Sequence, residues 1–226
     1  MARIEKCVLA DTGKKGVMTV EREKTAVRTL GLLLITLAVY LLLWQVLTAL
    51  FDFPLYYYSR LVEFLALLLF AVLTAVTPMR FEEMGIVVPR RVLFRSLAAG
   101  GGVALLVFVG LFLLARGRAD FAFSWHIRGD IARGTYFAVA PFQEVLGKSG
   151  MLYSFELVTG RRGAAATLLS ALAFGVFHVV YGIKIMLLSM LLMLLTGFLF
   201  HRERCVWGCA LAHFACGFFP ACFGFG

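Results

Sequence analysis

The chain has 226 residues, of which 62% are hydrophobic and only 15% are charged, and its mean hydropathy is +0.91. A soluble domain of this size cannot bury so much apolar surface, so the composition excludes an ordinary soluble protein and predicts a polytopic membrane protein. The net charge of +9 does not indicate nucleic-acid binding, because most basic residues occupy the N-terminal segment and short polar stretches, where they orient membrane helices.

In chain order, a basic segment at residues 1–26 precedes a series of apolar runs. These runs cover about residues 27–50, 60–78, 94–115, 135–158, 163–181, 183–201 and 204–224. Each run is close to the ~20 residues that cross a bilayer as a helix, so the sequence predicts an all-α bundle of about seven transmembrane helices. We expect two parts, a cytoplasmic arm at residues 1–26 and a single transmembrane helical domain at residues 27–226.

The distribution of Lys and Arg predicts the orientation of these helices. With the N-terminus inside, 15 of these residues fall on the inner side of the predicted membrane and six fall on the outer side. The positive-inside rule favours this arrangement. We therefore expect a cytoplasmic N-terminus and an external C-terminus.

The third apolar run contains three consecutive glycines, Gly100-Gly101-Gly102. Small residues in membrane helices allow neighbouring backbones to approach closely. The run therefore predicts close helix packing at this point and does not indicate a phosphate site.

The fourth apolar run contains a carboxylate and an ammonium group, at Glu144 and Lys148. Charges inside hydrocarbon cost at least a few kcal/mol, so such residues are rare and usually functional. Residues four apart share a helix face, which predicts an intrahelical ion pair. The pattern leaves two interpretations open: the pair only neutralises itself and fixes packing, or Glu144 takes part directly in catalysis. The preceding residue, Gln143, projects about 100° away.

Two further apolar runs each carry a histidine, at His178 and His213. A lone histidine in a membrane helix often only joins two helices by a hydrogen bond. Two histidines together with the Gln-Glu pair, on three separate helices, indicate a polar reaction site beneath the membrane surface. The other two histidines, His126 and His201, fall in or beside loops, and we interpret both as ordinary solvated residues.

These residues form three motifs in the second half of the chain. In order, they are Pro141-x-Gln143-Glu144-x-x-x-Lys148, Phe174-x-x-x-His178 and His213. Their order and spacing resemble those of the type II CAAX prenyl endopeptidase and bacteriocin-processing family (CPBP, or Abi), whose motifs are EExxxR, FxxxH and HxxxN. The resemblance covers about residues 135–217, which we regard as the motif-bearing core of the domain.

The resemblance implies a CAAX-protease-like helical bundle with intramembrane, glutamate-dependent endopeptidase activity. In that family the first Glu and the FxxxH histidine activate a water, the last histidine and the Asn stabilise the oxyanion, and the second Glu pairs with the Arg. Carried over, this makes Gln143, Glu144, His178 and His213 the catalytic candidates and Lys148 a structural ion-pair partner. No metal or other cofactor is implied. The implied partners are a membrane-anchored peptide or protein tail and the lipid bilayer of a bacterial or archaeal cell.

The chain departs from the family pattern at three positions: Gln143 replaces the first Glu, Lys148 replaces the Arg, and Gly217 replaces the Asn. An amide cannot take a proton from water as a base, and Gly217 lacks a donor for an oxyanion. Glu144 acts as the base instead, or a histidine does, or the chain is inactive. The expected function is therefore a divergent endopeptidase. The alternative is an inactive relative that binds a partner, as in bacteriocin self-immunity.

The last apolar run carries a stripe of possible ligands at spacings of four, four and three residues. They are Cys205, Cys209, His213 and Cys216. Such residues on one helix face could bind zinc or supply a thiolate nucleophile. Cysteine is also a small, polarisable residue that packs well between membrane helices. We expect packing and no structural zinc.

Overall fold

The computed structural model describes residues 2–52, 55–76, 80–118, 121, 123–124, 131–160 and 163–225, with most side chains described from residue 24 onward. These residues form helices joined by short connections, with no strand among them. The helices are α1 (Ala2–Leu50), α2 (Leu55–Val76), α3 (Arg90–Ala115), α4 (Ile131–Glu144), α5 (Tyr153–Thr159), α6 (Ala164–Phe177), α7 (Ile183–Glu203) and α8 (Val206–Cys222). The predicted all-α class is confirmed.

Helices α4 and α5 are joined by a π-helical segment, Val145–Leu152, so that they form one continuous helix. Counted in this way, the described residues contain seven helices, one for each predicted apolar run. Helix α1 passes the predicted boundary at residue 26 without a break. His126, and the basic residues of the sequence at 128, 161 and 162, lie outside the described residues.

Among the described residues, three helical segments are long and apolar enough to cross a membrane: Val27–Leu50, Arg90–Ala115 and Ile183–Glu203. Shorter apolar helical stretches occur at Glu63–Val72, Ala164–Phe177 and Val206–Cys222. Large aliphatic side chains cover the outer surface, as illustrated by Leu34, Leu106 and Leu191, which are 58%, 73% and 63% exposed. Apolar surface on this scale suits a lipid environment and not water. The chain is an integral membrane protein.

Helices α3 and α8 approach each other so closely that neither has room for a side chain at the crossing. A Cβ atom on Gly100 would overlap the backbone of Gly208, and one on Gly208 would overlap Ser96. The Ser96 hydroxyl accepts a hydrogen bond from the Gly208 N–H at 3.2 Å and donates one to the Cys205 carbonyl at 3.3 Å. The predicted close packing is confirmed at Gly100, and it fixes the start of α8, the helix that carries His213.

The π-helical segment lies in the centre of the bundle, and its residues from Leu146 to Leu152 are all buried. The Ser149 hydroxyl donates a hydrogen bond to the Met84 carbonyl at 2.7 Å, which ties the segment to the connection between α2 and α3. Wide helical turns of this kind are often found at functional sites. Here the widened turns begin directly after Glu144.

Candidate active site

Glu144 is the centre of a buried polar cluster that joins α4, α7 and α8. Its Oε1 atom lies 2.9 Å from His213 Nδ1 and 3.3 Å from the Thr196 hydroxyl, which donates to it. Its Oε2 atom lies 3.5 Å from Lys148 Nζ. None of these side chains is more than 4% exposed. A single carboxylate therefore holds groups from three helices in the interior.

The Lys148 ammonium is surrounded by acceptors. Besides the carboxylate, it donates a hydrogen bond to the Met193 carbonyl at 3.1 Å and contacts the Met193 sulfur. A buried charge is tolerated only when it is paired and hydrogen-bonded in this way. The cation is fully buried, so it acts on Glu144 and not on any molecule outside the cluster.

In both candidate histidines, His178 and His213, an acceptor fixes the Nδ1 atom. His178 lies at the end of α6, and its Nδ1 is 2.8 Å from the Phe174 carbonyl oxygen. A carbonyl oxygen only accepts hydrogen bonds, so this Nδ1 carries the proton and Nε2 carries the lone pair. The same holds for neutral His213, whose Nδ1 faces the Glu144 carboxylate. Each imidazole therefore keeps a basic Nε2 nitrogen.

A cavity of about 690 Å³ lies beside this cluster. Its lining includes Gln143, His178 and His213, together with leucines of α7 and aromatic side chains. Glu144 is not in the lining: it is 1% exposed and is hydrogen-bonded to His213, which does line the cavity. The structure thus brings three of the four catalytic candidates to one cavity wall and places the fourth one hydrogen bond away. Such a mainly apolar cavity with a few convergent polar groups is typical of a binding site.

Two residues of the site escaped the sequence-based prediction. Tyr136 lines the cavity, and Thr196 donates to Glu144. Tyr136 precedes Gln143 by seven residues, or about two helical turns, so its place on the same helix face could have been recognised. Thr196 is one hydroxyl in a long apolar run, and nothing in its spacing relates it to Glu144.

The interpretation of His201 as a solvated residue is wrong. Its Nε2 atom is hydrogen-bonded to the Thr167 hydroxyl, and its Nδ1 atom lies 3.7 Å from Glu156 Oε1. Arg204 Nη1 donates to the same oxygen at 2.7 Å. Helix α7 packs against α6, and this packing brings His201, at the end of α7, into a polar cluster with Thr167 and Glu156.

The cysteines of the stripe have different surroundings and do not form one site. Cys205 and Cys209 are fully buried, and the Cys209 thiol donates to the Thr196 carbonyl at 3.2 Å. Cys216 lies in the cavity lining, whereas Cys205 precedes α8. Cys205, Cys209, Cys216 and Cys222 are free thiols. Among the residues that the structure describes, no group of three or more His, Cys, Asp or Glu side chains is arranged to hold a metal ion.

The chemistry open to this arrangement is acid–base chemistry on a molecule in the cavity. Two imidazole nitrogens can accept protons there, and the Gln143 amide can donate hydrogen bonds. The apolar surroundings strengthen each of these interactions relative to water. A carboxylate orients one of the two imidazoles, namely His213, through a hydrogen bond to its Nδ1 atom.

The family model for type II CAAX prenyl endopeptidase Rce1-like proteins matches residues 62–219. The match begins within α2 and ends within α8, so it extends well upstream of the motifs. Comparisons with curated proteins and with solved structures gave no match. The chain therefore belongs to the Rce1-like type II CAAX prenyl endopeptidase family, a family of protease-type hydrolases, in agreement with the CPBP membership predicted from its motifs.

Proposed function

We propose that this protein is a divergent intramembrane endopeptidase that hydrolyses a membrane-anchored or membrane-proximal peptide with water activated by histidine. The hydrogen bond between Glu144 and His213 beside the cavity supports this proposal most strongly. In catalytic triads, a carboxylate likewise fixes the tautomer of a histidine and stabilises the imidazolium, and the histidine acts as the general base. Gln143 is an amide and Glu144 is not in the cavity lining. The carboxylate of Glu63, which does line the cavity, is paired with Arg60 at 2.6 Å, so the base that we propose is an imidazole.

In the proposed reaction the oxygen of a water attacks the peptide carbonyl carbon while one water proton passes to His213 Nε2. The electrons of the carbonyl double bond move to oxygen and form an oxyanion. When the oxyanion collapses, the C–N bond breaks and the leaving amine takes the proton from His213. His178 Nε2 accepts the second hydrogen of the water and orients it, and the Gln143 amide donates to the carbonyl oxygen.

Glu144 acts through His213 in this mechanism and does not contact the substrate. Its carboxylate fixes the tautomer and the orientation of the imidazole, and Lys148 and Thr196 hold the carboxylate in place. The role fits its burial, because a carboxylate that is 1% exposed has no access to a water in the cavity. Glu144 is thus a positioning residue, while Gln143, His178 and His213 are the catalytic residues.

The proposed substrate is an apolar peptide segment held near the bilayer. Most of the cavity wall is aliphatic or aromatic, and leucines 188, 191, 192 and 195 of α7 contribute to it. A peptide that enters from lipid would exchange one apolar environment for another, so it needs no large driving force to reach the site. The lipid bilayer is the surrounding partner.

We further propose that all seven helices cross the membrane of a bacterial or archaeal cell, with a cytoplasmic N-terminus and an external C-terminus. The excess of Lys and Arg on the predicted inner side supports this orientation. Cysteines introduced into a variant without native cysteines, labelled from intact cells, would test it. External labelling near residue 12, or no external labelling near residue 226, contradicts the orientation.

A second function, binding without catalysis, is supported by a specific feature of the site. The position of the family's first Glu carries an amide, and both oxygens of Glu144 already face other protein groups. A chain with these properties could use the cavity to bind a membrane protein or peptide, as in bacteriocin self-immunity.

One set of assays separates the two functions. Wild type, Gln143→Glu and Glu144→Gln are reconstituted in liposomes with a fluorogenic peptide that carries an acyl anchor, and folding is checked for each. We expect wild-type cleavage that falls ~10²-fold or more in Glu144→Gln, because the base loses its supporting charge. An inactive wild type with activity gained in Gln143→Glu identifies a pseudoenzyme. Undiminished cleavage by Glu144→Gln contradicts the role of His213.

A further inference from the structure

The phenol of Tyr136 lies against α8 in the space that Gly217 leaves open. A Cβ atom on Gly217 would overlap the hydroxyl oxygen and two ring carbons of Tyr136. Gly217 lies within α8 and is not among the residues with positive φ, so any residue could adopt its backbone conformation. Glycine is needed at this position for space and not for flexibility. Because Gly217 of α8 has no side chain, the phenol of Tyr136 from α4 can occupy this space.

This space is next to the histidine that we propose as the base. Gly217 follows His213 by four residues, so both positions lie on the same face of α8. The Tyr136 and His213 rings are 6.1 Å apart between centroids and are inclined by 67°. All three residues line the same cavity. The phenol therefore lies in the cavity wall beside the imidazole.

The Tyr136 hydroxyl is a donor without an acceptor in the part of the chain that the structure describes. No described residue accepts a hydrogen bond from it, and it is not one of the fully buried polar atoms. A hydroxyl in an apolar wall is stabilised by any acceptor that enters the cavity, because a polar group without a partner is unfavourable there. The donor is thus available to a bound molecule.

His213 cannot donate to an oxyanion when the reaction begins. Its Nδ1 proton is directed at Glu144, and Nε2 must hold a lone pair to accept the proton of the water. The negative charge that forms on the carbonyl oxygen therefore needs a donor from another residue. Tyr136 lies beside His213 in the cavity wall and has a hydroxyl proton to donate.

We propose that Tyr136 is a catalytic residue that donates a hydrogen bond from its hydroxyl to the carbonyl oxygen of the scissile bond and to the oxyanion. This role rests on the hydrolytic function proposed above. Tyr136 retains its proton throughout, so it stabilises charge without changing the balance of the reaction. Gln143, two helical turns further along, supplies a second donor from the same helix face. Donors fixed in an apolar site stabilise a developing charge far more than they do in water.

The first test compares two Tyr→Phe variants on one continuous helix. Tyr136→Phe keeps the ring and removes only the donor, and we expect kcat to fall ~10²- to 10³-fold while KM changes less than about threefold. Tyr153→Phe is the matched control. The Tyr153 hydroxyl donates to Glu83 at 3.1 Å, outside the cavity, so kcat should stay within about twofold of wild type. A well-folded Tyr136→Phe variant with wild-type kcat overturns the proposal.

The second test exchanges the donor between the two helices. Gly217→Asn alone should destabilise the protein, because its side chain meets the phenol. In the double variant Tyr136→Ala/Gly217→Asn the amide has that space and can donate from the same face of α8. We expect this variant to be at least ~10-fold more active than Tyr136→Ala, since a single oxyanion donor is restored. A well-folded double variant no more active than Tyr136→Ala counts against the donor role.

The third test does not depend on turnover. A peptide phosphonate with an acyl anchor, which carries anionic oxygens in place of the scissile carbonyl, is titrated into wild type and Tyr136→Phe in nanodiscs. We expect the Kd to rise ~10-fold or more in the variant, whereas the Kd of the uncleaved amide analogue changes little. Equal phosphonate affinities overturn the donor role. An inactive wild type that still needs the Tyr136 hydroxyl to bind the phosphonate overturns the hydrolytic function and retains the donor site.

Discussion

Two glutamates on the continuous helix from residue 131 to residue 159 each meet a cation and a histidine, yet the two clusters have different properties. Glu144 lies 2.9 Å from His213, and Glu156 lies 3.7 Å from His201. His213 Nδ1 faces its glutamate and Nε2 remains at the cavity wall, whereas His201 Nε2 is hydrogen-bonded to Thr167. The residue types are nearly the same in both clusters. What differs is whether a basic nitrogen remains after the internal hydrogen bonds have been made.

The cations of the two clusters also differ in where they come from. Lys148 lies one turn after Glu144 on the same helix and is fully buried. Arg204 comes from the connection between α7 and α8, adopts a left-handed backbone conformation, and stacks over the Phe200 ring at 4.7 Å. It joins the end of α7 to Glu156 at 2.7 Å. The Glu156 cluster therefore joins helix ends, while the Glu144 cluster lies beside the cavity in which we propose that the reaction takes place.

The largest expected effect comes from the matched pair His213→Gln and His201→Gln. Glutamine can still donate a hydrogen bond to the neighbouring glutamate, but it cannot accept a proton as a base. We expect His213→Gln to lower kcat ~10²- to 10⁴-fold, the usual contribution of a general base. His201→Gln should leave kcat within about threefold, because no step of the reaction involves it. Equal losses in both well-folded variants would remove the distinction between the clusters.

The second comparison concerns stability. Glu144→Ala leaves the fully buried Lys148 without its counter-charge, and breaking such a pair typically costs ~3–5 kcal/mol. Glu156→Ala should lower the free energy of unfolding by only about 1–2 kcal/mol, because Arg204 and His201 are both 22% exposed and water screens them. Unfolding in mixed micelles measures both values. Replacing Lys148 with Met in the Glu144→Ala background should restore much of the lost free energy of unfolding. If it does not, the unpaired Lys148 charge is not the cause of the destabilisation.

The apolar helices could be predicted from the sequence because hydropathy is a local property. The run at residues 27–50 coincides with the segment Val27–Leu50, and the run at 183–201 becomes Ile183–Glu203. The two candidate histidines line one cavity, since polar groups in lipid must converge on one another, whereas Glu144, which we expect at the same site, is not in its lining. These features depend on residue type and spacing alone.

Other features of the site depend on how separate helices meet and could not be derived in this way. The widened turn at Val145–Leu152 is buried against several elements, and its sequence has no signal that distinguishes it from an α-helix. The absence of Glu144 from the cavity lining depends on how α4 packs against α8. The fit of Tyr136 to Gly217 joins residues 81 positions apart in the chain. The position of each depends on packing between helices, and a single sequence does not encode that packing in a readable pattern.

The smallest expected effect comes from the threonine that each cluster contains. The Thr196 hydroxyl lies 3.3 Å from Glu144 Oε1, 2.9 Å from the Leu192 carbonyl and 3.5 Å from the Met193 carbonyl, so its single proton is shared among three acceptors. Thr196→Val keeps the shape and removes the hydroxyl. Because Glu144 keeps its other partners, we expect kcat to fall only ~3- to 10-fold, equivalent to about 1 kcal/mol of support for the carboxylate.

Thr167→Val is the matched control in the other cluster. It removes the hydrogen-bond partner of His201 Nε2 and should lower the free energy of unfolding by about 1 kcal/mol while kcat stays within about twofold. The same chemical change thus has a different main effect at the two positions. Thr196→Val should lower kcat, whereas Thr167→Val should lower the free energy of unfolding. A drop in kcat in Thr167→Val that matches the drop in Thr196→Val would mean that the two clusters are coupled through the helix that carries both glutamates. The distinction between a proposed reaction site at Glu144 and a structural cluster at Glu156 would then be wrong.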